Sequence, residues 1–169
     1  EMPGLAVPDL ATMERQKSHV RVAERKTQAT CRVHAPIIAH RNARVTLAAP
    51  QTVEFFNMQF EPMTGPALPT ITYDSAMALH LNGETFQLFH LPGGHTDGDT
   101  AVQLEQANVL HSGDIFVNGS WPFIDLEHGG NVIQLTENAA NLLDRIDANT
   151  IIIPGHGPVA DRADLERYL

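Results

Sequence analysis

Three glycine-flanked segments carry the residues best suited to chemistry. The first is Pro92-Gly93-Gly94-His95-Thr96-Asp97-Gly98-Asp99-Thr100, the second His111-Ser112-Gly113-Asp114, the third Pro154-Gly155-His156-Gly157-Pro158. Each sets a His or an Asp among glycines, directly after a stretch that reads as a strand. Glycine lets the backbone turn sharply and brings the neighbouring side chain to the rim of a sheet. Neutral imidazole and carboxylate are ligands of first-row metals, and together they suit zinc. Taken singly, each segment reads as an ordinary polar turn. Their joint occurrence in this order is what points to a shared site.

The elements that must position these residues follow from patterning. Val33–His40 reads as a short buried strand and Arg41–Phe56 as a helical stretch. Residues 57–72, with Pro62, Gly65, Pro66 and Pro69, read as a loop. Ala76–Leu81 and Thr85–Leu91 alternate around Asn82-Gly83, which predicts a hairpin. Ala101–Glu105 and Asn108–His111 predict a second strand pair. Val132–Ile146 has the period of an amphipathic helix, with Val132, Leu135, Ala139, Leu142, Leu143 and Ile146 on one side. Thr150–Ile153 is a β-branched run, and Asp161 with Asp164 three residues on predicts a capped final helix. The fold class is α/β with adjacent antiparallel strands.

Composition sets further bounds. The 169 residues are 43% hydrophobic and 18% charged, which suits one globular domain with a core. No apolar run reaches the roughly 18–20 residues of a membrane span. The single cysteine, Cys31, excludes an internal disulfide framework and any multi-cysteine zinc module. No signal-peptide h-region is seen, so the default expectation is a cytoplasmic protein. Residues 1–44 carry a net charge of +4 and residues 45–169 carry −13, a step that marks two segments of different character. From Asp9 to about Ala29 the composition favours a helix without a clean apolar face.

PGGHTDGDT, HSGDIF and PGHGP resemble the third, fourth and fifth metal-binding motifs of the metallo-β-lactamase superfamily. NGSWPFIDLEHGGN and IIIPGHGPVADRADL resemble one metallo-hydrolase branch of it. The resemblance covers roughly residues 33–169 and implies a partial αββα sandwich, mainly its second half. Residues 1–32 are left as an atypical basic segment, helical or disordered. The resemblance also implies a zinc centre, with iron or manganese as alternatives. His95 would bind the first metal, Asp114 would bridge the two and serve catalysis, and His156 would bind the second. Thr96 and Asp99 would fix the His95 loop by hydrogen bonds, and Asn118, Trp121 and Phe123 would line a substrate rim. Asp at the bridging position resembles the glyoxalase II-like members more than the lactamases that place Cys there. In such enzymes two metals about 3.5–4 Å apart share an activated water. The implied partner is a small molecule with a hydrolysable ester, thioester, amide or phosphate bond.

One departure stands beside the match. The superfamily's His-x-His-x-Asp-His motif is missing: the histidines are at 19, 34, 40, 80, 90, 95, 111, 128 and 156, and no two are separated by a single residue. His34 and His40 read as strand-end residues, His80, His90 and His111 as residues in or beside strands, and His128 as a residue of a Gly-rich loop, solvent-exposed or, alternatively, at the rim of the site. Three readings stay open. The chain is a hydrolase domain with impaired activity, represented by its C-terminal portion. Or it is a non-catalytic remnant, truncated or altered by a frame shift. Or it is a binding module that uses the basic segment. Against the last, residues 1–44 hold no aromatic residue for base stacking, so no nucleic acid is expected. A sheet face that lacks its usual cover would favour self-association. On the first reading, His95, Asp114 and His156 must cluster.

Overall fold

The structure, a computed structural model, describes residues 35–169. The expected 9–29 helix, the basic segment 1–32, Cys31 and His34 lie outside the described residues. Within them the chain alternates short strands with three α-helices. The first strand, β1 (Ile38–His40), is shorter than the expected 33–40 run and pairs in parallel with β4 (Ile71–Tyr73). The helix after it, α1 (Arg41–Leu47), stops well short of Phe56. Pro50 explains this, because the residue before a proline is pushed out of helical geometry. Gln51–Val53 (β2) then pairs antiparallel with Met58–Phe60 (β3) across a 3₁₀ turn at Glu54–Phe56. The stretch expected to be a loop at 57–72 therefore contains two short strands.

The main sheet has five strands in sequential order: β5 (Ala76–Leu81), β6 (Glu84–His90), β7 (Thr100–Leu104), β8 (Val109–Val117) and β9 (Ile151–His156). The first four run antiparallel and β9 lies parallel to β8. The Asn82-Gly83 hairpin forms as expected, with both residues at positive φ (55° and 76°) as a tight primed turn requires. The second strand pair also forms, but β8 does not stop at His111. It runs on through Gly113 and Asp114, with register shifts on either side of Gly113. Likewise β9 extends through Pro154 and Gly155 to His156. The second and third segments are thus irregular strand, where the sequence reads as turns after strands.

One face of this sheet is covered by α2 (Val132–Leu143) and α3 (Arg162–Tyr168). The core joins Phe89, Leu91, Ala101, Leu110, Phe116 and Ile152 of the sheet region to Ala139, Leu142 and Leu165 of the helices. Asn131 caps α2 by accepting from the Ile133 and Gln134 amides, and α3 begins with the expected Asp161/Asp164 capping box. The apolar side of α2 departs from the expected one at its start: Val132 is 63% exposed, while polar Asn138 is buried. Leu81, Ile151 and Ile153 are exposed apolar residues of the same sheet. This mixed α/β arrangement, one sheet with helices on one face, matches a partial αββα sandwich. Among the described residues no helix is long and apolar enough to cross a membrane.

The peripheral β1–α1 unit is tied to the first segment by two histidines. The rings of His40 and His90 stack at 3.6 Å and 8°. His40 Nε2–H donates to the Asp74 carbonyl and His90 Nε2–H to the Asp97 carbonyl, each at 2.8 Å. Because a carbonyl only accepts, both rings carry the proton on Nε2.

Core position and surface position on α2 should separate cleanly in unfolding experiments. Leu142→Ala should cost about 2–5 kcal/mol in urea denaturation, as expected for a fully buried leucine. Val132→Ala should change stability by less than about 0.5 kcal/mol.

Candidate metal centre

The three residues singled out by chemistry meet at one end of the main sheet. Asp114, within β8, points one carboxylate oxygen at each histidine: Oδ2 lies 3.5 Å from His95 Nε2 and Oδ1 lies 3.5 Å from His156 Nε2. The two strands approach closely because Gly155 of β9 has no side chain. A Cβ there would stand 1.9 Å from Asp114 Oδ1 and 2.8 Å from the Gly113 carbonyl. His156, the last residue of β9, is the more exposed of the two imidazoles.

His95 is held from several sides. Its Nδ1–H donates to the Phe123 carbonyl at 2.6 Å, which leaves Nε2 unprotonated in the neutral ring and aimed at Asp114. Asp99 accepts from the His95 amide (2.6 Å), the Thr96 amide (3.0 Å) and the Thr96 hydroxyl (2.7 Å). Burial pushes the Asp99 carboxyl up, against the opposing pull of Thr96 and His95. Thr96 and Asp99 thus hydrogen-bond to each other and to the His95 amide within the loop.

A second segment, 122–131, straps this loop from outside. The Asp125 amide donates to the His95 carbonyl, the Asp97 amide to the His128 carbonyl, and the Asn131 amide to the Gly94 carbonyl. His128 is not a free loop residue: its Nδ1 lies 2.7 Å from Asp125 Oδ2 and both side chains are largely buried. Buried Asn138 on α2 donates to the Pro92 carbonyl at 3.1 Å. None of Asp125, Asn131 or Asn138 stood out in the sequence as part of the site. The only available signal was a polar residue at a buried helical position, as at Asn138.

The expected rim residues divide in their roles. Trp121 is 82% exposed. Phe123 contributes its carbonyl to His95 and sets its ring 6.0 Å from the imidazole. Asn118 ties down the third segment: its amide donates to the His156 carbonyl at 2.9 Å and its side chain to the Pro158 carbonyl at 3.2 Å. Behind β8, the Tyr168 ring packs edge-on against Phe116, and its hydroxyl is buried without a hydrogen-bond partner. Burial first, and then the negative charge of Asp114, push the Tyr168 hydroxyl up to about 12.

His95 Nε2 and Asp114 Oδ2 are two electron-rich atoms facing one another, too far apart for a hydrogen bond and with no proton between them in this tautomer. A cation between them would remove the conflict, and His95, Asp114 and His156 are the residues that could hold one. They form two pairs sharing a carboxylate. No group of three His, Cys, Asp or Glu side chains converges into a preformed cage among the described residues. Two concavities of about 370 and 500 Å³ flank Pro92 and α2, and none of the three residues lines either of them.

A family model described as the metallo-beta-lactamase superfamily matches residues 21–156. The chain belongs to that superfamily. It is 30% identical over 88 residues to an uncharacterized protein of Aquifex aeolicus (strain VF5), a match covering 52% of this chain and 41% of that one. Among solved structures it is similar to the BLEG-1 B3 metallo-beta-lactamase, with 26% identity and a TM-score of 0.65 over 84% of this chain and 65% of the other. It is also similar to TTHA1623 in a di-iron-bound form, with 27% identity and a TM-score of 0.58 over 80% and 64%. A metallo-beta-lactamase from Pontibacter korlensis shares the fold at 18% identity and a TM-score of 0.61, over 89% and 60%. The chain spans less than two thirds of the length of each of these relatives.

Two substitutions probe this packing. Gly155→Ala should force Asp114 or β8 aside and cost about 1–3 kcal/mol in chemical denaturation. Tyr168→Phe removes a buried hydroxyl with no partner, so the melting temperature should stay level or rise.

Proposed function

We propose that the chain is a metal-dependent hydrolase domain of its superfamily, with His95, Asp114 and His156 as the metal ligands it retains. The observation that carries this reading is the placement of both imidazole Nε2 atoms at 3.5 Å from different oxygens of one carboxylate. The donor set fits such ions. Two ligands about 2.0–2.2 Å from one tetrahedral zinc stand roughly 3.3–3.6 Å apart. His95 is already in the tautomer that offers Nε2, because the Phe123 carbonyl takes the Nδ1 proton. Zinc is the first expectation, with iron or manganese as alternatives; the di-iron form of TTHA1623 shows that one relative accepts iron.

Held by His95, Asp114 and His156, a metal would supply Lewis-acid chemistry suited to an ester, thioester, amide or phosphate of a small molecule. The chain's own residues do the positioning. Asp99 and the 122–131 strap fix the His95 backbone, Phe123 fixes its ring, and Asn118 fixes the His156 backbone. Asp114 presents its two oxygens in opposite senses.

The same donor set supports a reading of impaired activity. Each ion would receive one imidazole and one carboxylate oxygen from these residues, whereas a catalytic zinc normally takes three protein ligands. The sequence holds no His-x-His-x-Asp-His motif to add the rest. The chain therefore binds metal weakly and turns over slowly.

Equilibrium dialysis against zinc, with elemental analysis of the protein, tests this. The native chain should take up zinc that Asp114→Ala loses at least about tenfold, since that change removes a donor from both ions. His111→Ala, at an exposed position of β8, should leave uptake unchanged. Equal zinc in the native and Asp114→Ala proteins, or none in either, overturns the proposal.

A further inference from the structure

The tip of the β2–β3 hairpin presents two adjacent phenylalanines, and one of them, Phe55, is 77% exposed. Exposure of a large aromatic ring at a turn has no folding benefit, so its neighbours decide what it does. Phe55 and Phe56 lie edge-on to each other at 4.9 Å, and they stand 5.4 Å and 4.8 Å from the ring of Phe123. Phe123 in turn stands 6.0 Å from the His95 ring and holds it through its carbonyl. Three phenyl rings thus form one surface that ends on His95.

The charges around this surface select among ligands. The hairpin tip and the residues just after it carry two acids, Glu54 and Glu61, and no base. The described residues include five arginines, and each is engaged elsewhere. Arg41 pairs with Asp74, Arg162 with Glu166 and Arg167 with Asp164. Arg44 donates to the Pro69 carbonyl, and Arg145 lies over the Phe89 ring at 4.2 Å. An anionic substituent on the hairpin side would meet carboxylates, while an uncharged apolar one would meet three rings.

We infer that Phe55, Phe56 and Phe123 form a binding wall for the apolar group of a neutral substrate, an acyl chain or aryl ring attached to the bond that the His95 side of the site acts upon. This rests on the hydrolase reading and narrows its substrate class to uncharged apolar esters, thioesters or amides. Covering a phenyl ring with an alkyl chain removes apolar area from water on both partners.

The chain's single tryptophan, Trp121, lies two residues from Phe123 in sequence and is exposed, so its fluorescence serves as the readout. The probe is octanamide, a neutral amide with an apolar chain, titrated against the metal-free full chain by tryptophan fluorescence. Hexyl phosphate is the anionic counterpart. Octanamide should give a saturable change, and hexyl phosphate should bind at least about tenfold more weakly. Phe55→Ser should weaken octanamide about tenfold, the loss expected when one ring no longer covers the chain. Phe55 is exposed, so its replacement leaves the fold intact, which circular dichroism checks; Phe123→Leu serves as the second variant. His111→Ala, at an exposed position of β8, should bind octanamide as the native chain does. A flat octanamide titration, equal binding of the two probes, or binding unchanged in Phe55→Ser overturns the wall. The zinc measurement described for Asp114→Ala is separate, so failure of the wall and failure of the metal site are told apart.

Discussion

Asp114 places one carboxylate between two imidazoles, and the end of the sheet is built around keeping it there. The oxygens lie 3.5 Å from His95 and His156, which come from segments about sixty residues apart in sequence. On the His95 side the arrangement is costly, because Nε2 and a carboxylate oxygen, both acceptors, face one another without a proton between them. The fold tolerates it by leaving the Asp114 side chain one-third exposed and by sparing its carboxylate a neighbouring side chain. Gly155 is the clearest case: a single methyl group there would overlap the carboxylate.

The scaffold around His95 is mostly backbone. Carbonyls and amides of residues 94, 95, 97, 123, 125, 128 and 131 exchange hydrogen bonds across the two loops. Main-chain bonds of this kind constrain position without depending on a particular side chain at each point. The side chains that do matter, Asp99, Asp125 and Asn138, are buried polar groups with partners. Each contributes modestly when paired, and each becomes expensive when its partner is lost. Phe123 serves twice, since its carbonyl orients the imidazole and its ring carries the hairpin phenylalanines. A change in the hairpin is therefore felt one residue away from a candidate metal ligand.

Some of this was legible in the sequence. The Asn82-Gly83 turn and the Asp161/Asp164 capping box are local signals, and each appears where it was read; the helix read over Val132–Ile146 forms too, but ends at Leu143. The helix expected to reach Phe56 fails because Pro50 imposes a local stop that the longer pattern obscured. The strands β2, β3 and β4 are three residues each, too short for alternation to declare them. Val132 and Asn138 trade places on α2 because a capped first turn points outward while a buried carbonyl, that of Pro92, needs a donor.

By itself, the sequence determined the residue types at the site, their order along the chain and the superfamily they belong to. Motif identity and glycine placement are properties of short stretches, so they survive without knowledge of the fold. Only the tertiary structure decided that His95 and His156 approach opposite oxygens of Asp114, that Phe123 acts through its carbonyl, and that Phe55 and Phe56 join it beside the imidazole. Those relations depend on which strands pair, on where β8 shifts register, and on which backbone groups are left to find partners. They are long-range contacts, and no local pattern encodes a distance between residues that meet only after the chain has closed.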